Sequence, residues 1–90
     1  MEKRTILFVD DEANVLNALR RTLRKEPYEI FLAQSAEEAL DILRENEIDL
    51  VVSDHLMPGM DGLTFLKKVR EMYPTALRVI LCLLYTSDAA

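Results

Sequence analysis

Residues 50–62 read LVVSDHLMPGMDG, and this stretch decides the fold. It opens on an apolar run of strand length, which ends at Asp54. The Pro58-Gly59 pair that follows is a strong turn signal, and a helical pattern begins after Gly62. A buried strand, an acid, a turn and then a helix is the order of one unit of an α/β sheet.

The helix after this turn is predicted over residues 63–73, because apolar residues recur there at helical spacing and Pro74 follows. Leu63, Leu66 and Val69 are predicted to face the core.

The same alternation of strand and helix runs through the rest of the chain. Strands are predicted at residues 6–9, 28–33, 50–53 and 78–81. The first helix begins after Glu12 and is stopped by Pro27, the second runs from Ser35 to about Asn46, and the third covers residues 63–73. Ser35 and Glu38 form a capping box at the start of the second helix. Strands separated by helices are parallel, with right-handed crossovers, so the sequence predicts one α/β unit with a parallel sheet.

The composition excludes several classes of protein. The chain has 90 residues, half of them apolar, which fits one small folded domain and not a disordered segment. Its formal net charge is -5, so a nucleic-acid surface is not expected. One cysteine cannot form an internal disulfide, and one cysteine with one histidine cannot build a zinc site. Two glycines allow neither a P-loop nor a dinucleotide-binding fingerprint.

The chain also lacks the sequence signals of a membrane or secreted protein. No apolar run approaches the roughly 20 residues that a membrane span needs. The residues before the first strand do not resemble a signal peptide. We therefore expect a cytoplasmic location and no membrane partner.

Three acids follow buried strands directly. Asp10 and Asp11 come after the first strand and Asp54 after the third. Ligands of parallel sheets bind at the carboxyl ends of the strands, so adjacent strands would bring these carboxylates together. Mg²⁺ takes oxygen ligands and commonly pairs carboxylates with a phosphate, so the pattern predicts a Mg²⁺ site that handles phosphate. The alternative is that Asp11 or Glu12 caps the first helix.

Three motifs carry a family resemblance: Phe8-Val9-Asp10-Asp11-Glu12, Val52-Ser53-Asp54 and Met57-Pro58-Gly59-Met60-Asp61-Gly62. In this order and spacing they resemble the receiver domains of two-component response regulators. The resemblance implies a flavodoxin-like, three-layer α/β/α fold with sheet order 2-1-3-4, strand five and helices four and five being missing. Residues 4–81 would then be a partial receiver domain of bacterial type.

The resemblance also implies roles for individual residues. Asp54 would accept a phosphoryl group from a histidine kinase or a phosphotransfer protein. Asp11 and Asp54 would bind Mg²⁺ directly, Asp10 mainly through water, and Leu56 through its main-chain carbonyl. The domain would be a signalling module, not an enzyme, with self-catalysed phosphorylation and dephosphorylation. It would pass the signal to an output domain further along the parent chain.

The chain departs from the family pattern after strand four. The family pattern has a Thr or Ser where Cys82 or Leu83 stands. The Lys that follows strand five in the family is absent from this sequence. We therefore expect this chain to be a fragment that is impaired as a phosphoacceptor. Residues 82–90 also match the in-frame translation of a transposon-end sequencing adaptor, so we expect them not to be native.

Two other functions remain open. A Mg²⁺-dependent phosphohydrolase would use an Asp nucleophile, although that class usually has Asp-x-Asp after its first strand, whereas Asp10 and Asp11 are adjacent. A degenerate receiver would bind partners without phosphorylation, which the intact acidic set disfavours. His55, beside Asp54, fits an ordinary side chain at the rim of the site.

Overall fold

The structure, a computed structural model, describes residues 4–54 and 59–81. Four strands alternate with three helices along the chain. They are β1 (Arg4–Val9), α1 (Ala13–Thr22), β2 (Tyr28–Ala33), α2 (Ala36–Glu45), β3 (Leu50–Asp54), α3 (Gly62–Met72) and β4 (Leu77–Leu81). The predicted elements are all present, with bounds that differ by a few residues.

The strands form one parallel sheet in the order β2-β1-β3-β4, as predicted. β1 lies between β2 and β3, with Leu7 opposite Phe31 on one side and Val51 on the other. The chain order and the spatial order differ, because β1 separates β2 from β3. The carboxyl ends of β1 and β3 therefore lie side by side.

Helices cover both faces of the sheet, so the fold has the three layers predicted. Alternate residues of β1 point to opposite faces, as the pleat of a strand requires. Leu7 and Val9 pack in a cluster with residues of α2 and α3, and Ile6 and Phe8 pack with Leu16 of α1. The almost uniformly buried β1 is what a central strand of a parallel sheet shows.

Side chains cap the N-terminal ends of two helices. The Ser35 hydroxyl accepts the Glu38 N–H at 3.1 Å, and the Glu38 carboxylate accepts the Gln34 N–H at 2.6 Å, which confirms the predicted cap of α2. Asp61 caps α3 by accepting the Thr64 N–H at 2.8 Å. These caps set where α2 and α3 begin, at the end of the sheet that carries the acids.

The predicted inward face of α3 is wrong at one position. Leu63 is 54% exposed, whereas Phe65, which was not predicted to be buried, is fully buried with Val69. The buried residues of α3 are Gly62, Phe65 and Val69, and their spacing of three and four residues places them on one side of the helix. Leu66 is partly buried at the edge of this stripe.

Gly59 makes the turn before α3. Its φ is +84°, in the left-handed region that glycine adopts without steric penalty. The turn predicted from Pro58-Gly59 is therefore present at Gly59, while Pro58 lies outside the described residues.

Asp49 joins three strands at the opposite end of the sheet. Its carboxylate accepts the Thr5 N–H at 2.9 Å, its own N–H donates to the Thr5 carbonyl at 2.9 Å, and its carbonyl accepts the Leu77 N–H at 3.0 Å. Removing the carboxylate leaves the Thr5 N–H without this partner, and Thr5 is 8% exposed. Asp49→Ala is expected to lower the free energy of unfolding by about 1–3 kcal/mol, measured by urea denaturation.

Glu47→Ala is the control for this prediction, because Glu47 is an exposed acid of the same loop. Its effect is expected to stay within about 0.5 kcal/mol of wild type. Equal effects of the two substitutions would contradict a specific role for the Asp49 carboxylate.

Among the helices of the described residues, none has the length and apolar character needed to cross a membrane.

Candidate functional site

The sheet topology brings the predicted acids together. Val9 of β1 lies opposite Ser53 of β3, so the residues that follow, Asp10 and Asp54, emerge beside each other. Each of Asp10, Asp11 and Asp54 offers a carboxylate oxygen, and these oxygens lie within 4.8 Å of one another. The convergence predicted from the strand ends is therefore present in the fold.

The three carboxylates differ in their access to solvent. Asp10 is 7% exposed, Asp11 is exposed and Asp54 is half-buried. Asp10 is also held from two sides, because its N–H donates to the Ala33 carbonyl at 3.0 Å and its Oδ1 accepts the Glu12 N–H at 2.9 Å. Asp54, at the carboxyl end of an inner strand, combines a fixed main chain with access from outside.

The helix-capping interpretation of the first acids does not hold. Glu12 occupies the N-cap position of α1, but its side chain accepts no hydrogen bond there. Asp11 precedes that position, and the loop N–H of Glu12 is taken by Asp10. The carboxylates of Asp11 and Glu12 are therefore not used as caps of α1.

Burial raises the pKa of Asp10 above its ordinary value of 3.8. The hydrogen bond from Glu12 lowers the pKa in part, and the negative charges of Asp54, Asp11 and Glu12 raise it further. Within residues 4–54 and 59–81 the only ion pair joins Arg44 to Asp41, so no described cation forms an ion pair with this cluster. Three close oxygen donors with excess negative charge fit a hard divalent cation.

Asp10→Asn is expected to stabilise the metal-free chain at pH 7. Asparagine keeps an oxygen that can accept the Glu12 N–H but removes a charge that burial and Asp54 both oppose. A carboxyl with a raised pKa destabilises the fold when it is charged, and this penalty disappears below the ordinary value of 3.8, where Asp10 is protonated in both states. The Tm should exceed that of wild type by several degrees at pH 7 and by little at about pH 3.

Glu45→Gln is the control, because it also removes one negative charge but from an exposed position of α2. Calorimetry should show little change in its Tm at either pH. An equal gain from Glu45→Gln would mean that net charge, and not the local environment of Asp10, sets the stability.

Four residues singled out in the sequence lie outside the described residues. Leu56, predicted to offer its main-chain carbonyl to Mg²⁺, and His55 both lie outside the described residues. Cys82 and Leu83, at the position where the family pattern has a hydroxyl, lie outside them as well.

Sequence reasoning missed one residue beside the acids. Ser53 is fully buried, and its hydroxyl donates to the Asp54 carbonyl at 2.9 Å. The available signal was a polar residue in an otherwise apolar strand, immediately before Asp54.

Comparison with known proteins connects this geometry to a family. A family model described as the response regulator receiver domain matches residues 6–89. The match includes residues 82–89, which we predict to be non-native, and their origin stays a prediction.

Two curated relatives are transcriptional regulators. The hydrogenase transcriptional regulatory protein HoxA of Cupriavidus necator is 40% identical over 77 residues, which are 86% of this chain and 16% of HoxA. The transcriptional regulatory protein YvrH of Bacillus subtilis is 43% identical over 72 residues, which are 79% of this chain and 30% of YvrH. The chain thus spans less than a third of either relative.

Solved structures share the fold. The signal receiver domain of an HD domain-containing protein from Pseudomonas fluorescens has a TM-score of 0.88 and 36% identity, with 90% of this chain and 65% of that chain covered. The response regulator TrrA from Thermotoga maritima, in complex with Mg²⁺-BeF, has a TM-score of 0.83 and 38% identity, with 96% of this chain and 76% of that chain covered.

Proposed function

This chain belongs to the response regulator receiver domain family, and we propose that its Asp54 carboxylate accepts a phosphoryl group from a histidine kinase or a phosphotransfer protein. The observation that carries this proposal is the convergence of three carboxylates at the carboxyl ends of β1 and β3. Asp54 is the half-buried member at the end of an inner strand, and so combines a fixed position with access for a phosphodonor.

The transfer needs a nucleophile held in line with the bond that breaks. An Asp54 carboxylate oxygen forms a bond to phosphorus, while the bond from phosphorus to the imidazole nitrogen of the partner breaks and its electron pair stays on that nitrogen. The product is an acyl phosphate on Asp54. Water later attacks the phosphorus, which releases phosphate and restores the carboxylate. In this sense the domain supports its own phosphorylation and dephosphorylation, although it is a signalling module.

Asp10, Asp11 and Asp54 would hold Mg²⁺, together with the main-chain carbonyl of Leu56. The close approach of three carboxylates without a described cationic partner supports this set. The complex of the similar TrrA with Mg²⁺-BeF supports the choice of ion. When bound, Mg²⁺ supplies positive charge that offsets the charge of the carboxylates and of the incoming phosphoryl group.

The signal would pass to an output domain of the parent protein. HoxA and YvrH are transcriptional regulatory proteins in which the matched region is a minor part, and this supports a parent with a further domain. We place the domain in the cytoplasm, where its phosphodonors would be, and assign contact with DNA to the output domain alone.

Incubation with acetyl phosphate and Mg²⁺ tests the proposal on the chain itself. Intact mass and peptide mapping should find one phosphoryl group, on Asp54, that forms with Mg²⁺ and not with EDTA. The rate should be about 10²-fold below that of a receiver with the hydroxyl donor, because Cys82 or Leu83 offers no comparable hydrogen bond to the phosphoryl group.

A second assay with para-nitrophenyl phosphate, beside the acetyl phosphate incubation, separates the alternatives. Continuous turnover of para-nitrophenyl phosphate, with Asp10 more important than Asp54, would indicate the phosphohydrolase. Absence of any phosphoryl group on the chain after prolonged incubation would overturn the phosphoacceptor proposal and favour the degenerate receiver.

A further inference from the structure

Ser53 is a buried hydroxyl where the pattern of the strand calls for an apolar side chain. Ser53 is fully buried, as is Val51 on the same strand. Val9, which lies opposite Ser53 on β1, is also buried. Both valines belong to the larger core cluster, which also receives α2 and α3. On the other side, Ser53 lies opposite Ile80 of β4, so strands flank it on both sides.

Within the described residues, the Ser53 hydroxyl makes one hydrogen bond. Its Oγ donates to the main-chain carbonyl of Asp54 at 2.9 Å. This bond fixes the Asp54 carbonyl relative to a side chain that close packing already holds in place. Since the main chain sets the direction of the Cα–Cβ bond and the rotamers that are allowed, a fixed Asp54 carbonyl also limits where the Asp54 carboxylate points.

Burial alone does not account for a serine at this position. Burial of a hydroxyl destabilises the fold unless the hydroxyl is hydrogen-bonded, whereas burial of an apolar side chain of similar size stabilises it. The bond to Asp54 offsets the loss without adding apolar contact. The clearest consequence of the hydroxyl is therefore local, at the residue that follows it.

We propose that Ser53 is a positioning residue, whose buried hydroxyl orients Asp54 both for Mg²⁺ and for phosphoryl transfer. The part of this inference that concerns phosphoryl transfer rests on the proposed function. Partners that hydrogen-bond the ligating group itself typically change metal affinity by about 10- to 100-fold when they are removed, and Ser53 acts through the main chain of Asp54, so the lower end of that range is expected.

The test compares Ser53→Thr with Ser53→Val in the full chain. The two side chains have nearly the same shape, so they share any effect of added volume in the core, and they differ in the hydroxyl. Isothermal titration with Mg²⁺ alone should give a dissociation constant about tenfold higher for Ser53→Val than for Ser53→Thr. With acetyl phosphate, the saturating rate of Asp54 phosphorylation should fall by a similar factor, while the half-saturating donor concentration stays unchanged.

The outcomes separate this inference from the proposed function. Equal Mg²⁺ affinities for the two variants would overturn the inference, whatever the phosphorylation data show. A difference in Mg²⁺ affinity, with no phosphoryl group on Asp54 in wild type or either variant, would overturn the phosphoacceptor function but support the positioning of Asp54 for Mg²⁺.

Ser53→Ala provides a second comparison if circular dichroism shows that the larger side chains prevent folding. Measured against wild type, it should show the same rise in the Mg²⁺ dissociation constant. An Ala variant that binds Mg²⁺ as wild type does would also overturn the inference.

Discussion

Asp54→Asn is expected to abolish phosphorylation of this chain while leaving its fold intact. The amide is close in shape to the carboxylate but lacks the negative oxygen that attacks phosphorus. Asp54 is half-buried at the end of β3, so the substitution removes no large apolar contact. Incubation with acetyl phosphate and Mg²⁺ should leave the intact mass unchanged after a time that phosphorylates wild type.

The same substitution should not lower the stability of the fold. The charge of Asp54 is one of the causes that raise the pKa of Asp10, so its loss brings that pKa closer to the ordinary value. We therefore expect a Tm at pH 7 equal to or above that of wild type in the absence of Mg²⁺. A loss of phosphorylation together with an unchanged or raised Tm would show that the chemistry, and not the fold, has been removed.

Asp41→Asn is the matched control. Its carboxylate is exposed on α2, where it pairs with Arg44, and surface pairs of this kind contribute little to stability. The variant should be phosphorylated as wild type is. Continued phosphorylation of Asp54→Asn, or its loss in Asp41→Asn, would contradict the role assigned to Asp54.

The acidic site could be predicted from the sequence because it depends on topology. Apolar runs ending in acids placed Asp10, Asp11 and Asp54 at strand ends, and alternation with helices made the sheet parallel. Once β1 and β3 are neighbours, the carboxyl ends of the two strands meet. No side-chain packing had to be known for this step.

Features that depend on packing could not be predicted in the same way. Successive residues of a helix are about 100° apart around its axis, so Leu63 and Phe65 lie on nearly opposite sides of α3. Apolar residues stand on both of these sides, and packing against the core buries Phe65 and leaves Leu63 exposed. The bond of Ser53 to Asp54 likewise depends on a side-chain orientation that spacing does not reveal.

The corrected face of α3 leads to the second large prediction. Phe65 is fully buried and belongs to the cluster that joins α2 and α3 to the sheet. Phe65→Ala removes the aromatic ring and leaves a cavity that the sheet and α2 cannot fill without moving. The free energy of unfolding, measured by urea denaturation, is expected to fall by about 3–5 kcal/mol. A loss of this size is a large part of the roughly 5–15 kcal/mol that stabilises a folded domain.

Leu63→Ala is the control that distinguishes packing from helix propensity. Leu63 lies on the same helix but is 54% exposed, so its truncation removes little apolar contact, and alanine is as good a helix former as leucine. We expect a change within about 0.5 kcal/mol. A larger loss from Leu63→Ala than from Phe65→Ala would restore the face that the sequence alone predicts. The opposite order would show that α3 packs on the core through the side that carries Phe65.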